Sequence, residues 1–201
     1  MNNLRYVHWL EDGGKSCSEA GKSGIGLAIP KDQEPVPAGT GFWVNSRAYL
    51  EFLSYNNLFL DLKGLLTGLS VENAGDLWAR SAAIRQLIMR SAVPEHMSRE
   101  ITAAYQKLTA ATTDGANPVV TVQGTVTVTA TGEGVKNLIE QYDPYVDISD
   151  PRQVVQYVQR CWGHLWAPRA IYYREKLSCP HLDVLPEVLV AKDPVQETAI
   201  A

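Results

Sequence analysis

The chain has 201 residues, 45% hydrophobic and 20% charged, with a formal net charge of −4. That is enough polypeptide for one domain, or one lobe of a larger one, with a real core, and the acidic balance removes any electrostatic pull toward nucleic acid or anionic lipid. No run approaches the roughly 18 apolar residues of a membrane span, no basic-then-apolar leader is evident, and Cys17, Cys161 and Cys179 are too scattered for a CxxC pair or a disulfide framework; the expected compartment is the cytoplasm.

Tyr6 to Leu10 predicts a short strand, ended by Glu11-Asp12-Gly13-Gly14. A small-residue, glycine-rich segment runs from Gly13 to Gly26, followed by a turn at Pro35 and Pro37 and a strand at Phe42-Trp43-Val44. Ser46 to Leu53 predicts a short helix with Asn45 as N-cap and Tyr49, Leu50 and Leu53 on one face. Asp76 to Arg90 is a longer helix: Leu77, Ile84, Leu87 and Ile88 share a face, interrupted by the small Ser81. Met97, Ile101, Tyr105 and Leu108 mark another, and 110–117 is small and polar, a loop.

From Val120 the period changes to two. Val120, Val122, Val126 and Val128 alternate with Thr121, Thr125 and Thr127, which predicts a strand with a bulge or turn at Gly124. Tyr145 to Ile148 is a further short strand. Asp150-Pro151 opens a helix with an N-cap carboxylate and a proline at the first helical position. Its buried stripe is Val154, Val158, Cys161 or Trp162, and Leu165, with Trp162 and Trp166 four apart on one face as core residues. Pro168 opens another helix, and Val184 to Ala191 is a last strand weakened by Pro186. Strands and helices mix without a regular βαβ repeat, which makes the fold class α+β.

Lys22 is the first candidate for chemistry, since a lysine in a small-residue loop after a strand can reach nucleotide phosphates. A Walker A loop is excluded: counting back from Gly21-Lys22-Ser23 puts its first glycine on Ser16, and counting back from Gly14-Lys15-Ser16 puts it on Trp9. His8, His96, His164 and His181 have no metal-ligand spacing, no metal site is expected, and no nucleophile pattern accompanies them. Arg169 and Arg174 read as solvated or salt-bridged residues, and Cys161 as core packing.

Several segments together carry a resemblance: Ala20-Gly21-Lys22, Pro35-Val36-Pro37-Ala38-Gly39, Phe42-Trp43-Val44, Glu140-Gln141-Tyr142-Asp143, Cys161-Trp162, Leu165-Trp166, Arg169 to Arg174 and Val188-Leu189-Val190. In order and spacing they resemble the start of the nucleotide-binding domain of phosphoenolpyruvate synthase, pyruvate phosphate dikinase and rifampicin phosphotransferase. The resemblance implies the first lobe of a dikinase-type ATP-grasp domain, with a mixed or antiparallel sheet flanked by helices and residues 1–201 forming one lobe. It implies that Lys22, with Gly21 and Gln141, is where ATP would be touched; Gly13-Gly14-Lys15 is a rival tripeptide at the wrong distance from the proline turn. His181 matches an Asp-His position of the family, which is not the phosphohistidine.

The departures matter as much. Where that family has an arginine in a Val-Arg-Ser-Ser-Ala-Thr segment, this chain has no arginine from Ile101 to Pro151. Alignment on Gln141 puts Thr125 at that place, and small gaps move it to Gln123 or Thr127, all uncharged; the acidic pair that follows is reduced to Glu133. The second lobe, the phosphohistidine domain and the pyruvate-binding barrel have no counterpart in these residues. The expectation is a non-catalytic or accessory protein that works through a protein partner or as a homo-oligomer. The alternative is an ATP-binding subunit whose partner chain supplies the second lobe, with ATP and Mg bound only in that company.

Overall fold

The computed structural model describes residues 6–10, 41–110, 119–128 and 144–192. Among these residues five strands form one sheet: β1 (Val7–Trp9), β2 (Gly41–Val44), β3 (Val120–Val128), β4 (Tyr145–Ile148) and β5 (Val184–Lys192). Their order is β1-β2-β5-β3-β4, and every pairing is antiparallel, so the sheet is not mixed. Among the described residues six α-helices accompany it: α1 (Ser46–Tyr55), α2 (Leu58–Leu66), α3 (Ala74–Arg90), α4 (Glu95–Ala110), α5 (Pro151–His164) and α6 (Pro168–Lys176). This is the α+β lobe that the residue pattern predicts.

Strand alternation sorts the sheet into two faces. Val44, Val120, Val122, Val188 and Val190 are fully buried on the face that receives α1, α4 and α5. α5 lies so close that a Cβ built on Gly124 would stand 3.1 Å from Cys161 Cβ. Gly124 is therefore neither bulge nor turn: the β3–β5 ladder runs unbroken from Val120↔Lys192 to Val128↔Val184, and the one irregularity falls between Val120 and Val122 against β4. Its missing side chain makes room for a helix. Pro186 is tolerated because β2 pairs with β5 only over Val188–Ala191, leaving β3 as the sole described neighbour beside the proline.

Three helix starts follow from their caps. Asn45 Oδ1 accepts from Ala48 N at 3.3 Å, Asn73 Oδ1 from Asp76 N at 3.1 Å, and Asp150 Oδ1 from Arg152 N at 2.7 Å. α1 buries Tyr49, Phe52 and Leu53, whereas Leu50 is 37% exposed; the apolar face is rotated one position from the expected one. α2 has no counterpart among the predicted elements. Its leucine-rich run, broken by Gly64 and started by Asn57 in the left-handed region (φ 55°), hides the helical period.

The second helical layer is held by buried polar groups. Ser81 is no mere gap in the α3 stripe: its Oγ donates to Trp166 O at 2.5 Å. Gln159 Nε2 donates to Ile88 O and Ser91 O, each at 2.7 Å, satisfying carbonyls at the end of α3. Trp166 lies beyond the end of α5, so it does not share a helix face with Trp162; its Nε1 donates to Tyr49 OH at 3.0 Å. Arg174 is buried rather than solvated, its guanidinium donating to Leu165 O and, through Nε, to His181 Nδ1 at 2.9 Å. Arg169 is exposed, 5.5 Å from the Tyr173 ring centre.

Both outer strands carry local modifications. Glu100 Oε1, from α4, accepts from Tyr6 N at 2.7 Å and Val7 N at 3.0 Å at the start of β1. Within β4, Asp147 has a left-handed backbone (φ 57°).

Candidate functional site

Lys22, Gly21, Gln141 and Glu133 lie outside the described residues, as does the rival Lys15. The described part of the candidate site is the second face of the sheet. Gln123 pairs with Leu189, Leu189 with Trp43 and Trp43 with His8, so these four form one row across β3, β5, β2 and β1. Thr125 pairs with Glu187 in the next row, on the same face by alternation. Each residue of the four-residue row figures separately in the sequence reading, but the row itself needs the register, which composition does not give.

The chemistry of this face is neutral to acidic. Thr125 Oγ1 donates to Glu187 O at 3.2 Å, so its hydroxyl proton is already engaged within the sheet. Glu187 itself is 5% exposed. Asn45 Nδ2 donates to His8 Nε2 at 2.8 Å, which leaves the proton of a neutral His8 on Nδ1. Gln123 offers an amide and no charge. A polyphosphate needs fixed cations, best as the planar fork of an arginine, and none of the residues in these two rows is one. The side chains of these two rows offer no fixed cation to a triphosphate.

The remaining titratable groups have structural surroundings. Cys161 sits under Gly124, and burial pushes its thiol up to about 12, opposed by a weaker bond to the Gly124 backbone. His181 has a fixed neutral tautomer: Nδ1 accepts from Arg174 and Nε2 lies 2.7 Å from Glu175 Oε1. Burial, and then the Arg174 charge, hold its pKa below the ordinary value. His164 Nε2 meets Tyr145 OH at 2.8 Å, and His96 Nε2 meets Glu51 Oε1 at 2.7 Å. Among the described residues no group of three or more His, Cys, Asp or Glu could hold a metal ion, and no helix is long and apolar enough to cross a membrane.

Sheet and helices together define one α+β lobe of the dikinase type. The family described as "Pyruvate phosphate dikinase, AMP/ATP-binding domain" matches residues 13–193, and the chain belongs to it. It is 30% identical over 95% of its length to a "Probable phosphoenolpyruvate synthase" of Methanocaldococcus jannaschii, of which it covers 16%. It is 34% identical over 92% of its length to the protein of the same description from Archaeoglobus fulgidus, covering 24% of that relative. With the "Phosphoenolpyruvate synthase" of Aeropyrum pernix it shares 30% identity over 94% of its length and 23% of the relative. The chain thus spans about a quarter or less of each.

Proposed function

We propose that this lobe is a non-catalytic, phosphoenolpyruvate-synthase-like unit that acts by binding protein, either another chain or a second copy of itself. In this reading residues 1–201 act as one lobe. The observation that supports it most is on β3, where Gln123, Thr125 and Thr127 occupy the positions open to the family's arginine and the Thr125 hydroxyl is bonded to Glu187 O. One lost charge-assisted phosphate contact weakens binding by roughly 1.5–3 kcal/mol, and phosphoryl transfer depends on positioned cations around developing charge.

A second reading keeps the lobe as the ATP-binding part of a dikinase-type phosphotransferase whose second lobe comes from a partner chain. It is favoured by a family match that begins at residue 13 and so takes in Gly21 and Lys22. ATP and Mg would then be held only in the assembled pair. Calorimetric titration of the chain with ATP-Mg to millimolar concentration, beside Lys22→Ala, tests the first reading; the second predicts that mixing with a chain carrying the missing lobe restores ATP hydrolysis or exchange that Lys22→Ala abolishes. No heat of binding is expected; micromolar affinity abolished by Lys22→Ala would overturn the first reading.

A further inference from the structure

Helix α2 is rich in leucine and thinly covered. Leu58 and Leu62 are buried at 2% and 0% exposure, which fixes its inward direction. At about 100° per residue the opposite direction belongs to Leu60, Gly64 and Thr67, and all three are exposed. Leu60 is 79% exposed and Phe59 beside it 37%; Tyr55, at the end of α1 across the Asn56–Asn57 turn, is 61% exposed. Nothing lies within 4 Å of a Cβ built on Gly64, so a leucine knob is followed one turn later by an open notch. Side chains of this size expose on the order of 300 Å² of apolar surface together, which is the scale of a functional patch. It is less than half of the roughly 800 Å² each partner contributes to a standard interface, so its contact is weak and concentration-dependent.

The charges beside the ridge say what fits it. Asp61 and Lys63 are exposed and fall on opposite flanks of the Leu60 line, and neither has an ion-pair partner among the described residues. A two-fold axis along the ridge sets two α2 helices parallel, with the Asp61 flank of each against the Lys63 flank of the other, twice by symmetry. A two-fold axis across the ridge would oppose like charges. The surface is complementary to itself. We infer that the Leu60 ridge of α2 is a self-association surface through which two copies of this chain pair as a weak, parallel homodimer. The apolar knob supplies the affinity and the exposed charges the orientation. This rests on the protein-binding reading above and names its partner.

Sedimentation equilibrium at low salt, from micromolar to several hundred micromolar chain, tests it, with circular dichroism to confirm that each variant is folded. A reversible monomer–dimer equilibrium is expected, weakened at least about tenfold by Leu60→Glu, which removes one anchor used twice. Asp61→Lys and Lys63→Asp should each weaken it several-fold, and the double exchange should restore it. A monomer throughout the range, a dimer indifferent to Leu60→Glu, or a double exchange that fails to restore pairing would overturn the inference. ATP-Mg titration of the same samples separates the two ideas: a monomer without nucleotide affinity defeats only the dimer, whereas nucleotide affinity defeats the protein-binding reading.

Discussion

Gly124 and Cys161 are a steric pair: the strand residue has no side chain because the helix residue's Cβ occupies the space, 3.1 Å from where a Cβ would be. Both partners sit on regular elements that cannot shift independently of their neighbours. Gly124→Val should therefore lower stability by about 1–3 kcal/mol through overpacking, read as a fall in the urea midpoint. The penalty should be smaller in a Cys161→Gly background. An equal penalty in both backgrounds would mean that the contact does not decide the residue.

Arg174 offers a second test, because its buried guanidinium reaches two acceptors, Leu165 O and His181 Nδ1. A lysine ammonium is a point charge without the fork that spans them. Arg174→Lys should lose about 1–3 kcal/mol, with one buried acceptor left unmet. Wild-type stability in Arg174→Lys would show that the fork geometry contributes nothing.

The pH dependence follows from His181. Its folded pKa lies below the ordinary value, so between that depressed value and the unfolded value of about 6.5 the unfolded chain binds more protons. Stability must then rise with pH through this window: it is fully present above the unfolded pKa and is lost as pH falls toward the folded one. Urea midpoints at pH 7.5 and 5.5 should differ more for the wild type than for His181→Gln, which cannot titrate. An identical difference would remove His181 from the account.

Tyr49 and Trp166 share one bond in the core, indole Nε1 to phenol oxygen at 3.0 Å. Tyr49→Phe deletes the acceptor while keeping the ring that packs at 5.8 Å from Trp162. The orphaned, buried N–H should cost about 1–3 kcal/mol, and the native tryptophan fluorescence should change with it. A neutral substitution would imply that the indole finds another acceptor.

Much of this architecture is legible in the residues. The alternation at Val120 to Val128 and the cap at Asp150-Pro151 correspond to β3 and α5, because period and capping are local physics. α2 is not legible: a leucine run with a glycine inside and a left-handed residue before it carries no clean period. The partners of Arg174, read from sequence as solvated or salt-bridged, are hidden for a different reason, since a carbonyl freed at the turn after α5 and an acceptor histidine seven residues later exist only in three dimensions. Gly124 reads as a break because a strand's own sequence does not reveal a helix passing over it. Of the candidate site, the uncharged β3 positions are visible in the sequence, while the row from His8 to Gln123 depends on strand order. Lys22, Gly21 and Gln141 lie outside the described residues.

Glu100 and Asp147 bear on what the sheet can join. A carboxylate holds the first amide hydrogens of β1, and a left-handed residue kinks β4, the opposite border. An incoming peptide would find neither margin presenting a straight run of open donors and acceptors. Among the described residues, recruitment by extending the sheet is thereby obstructed at both outer strands.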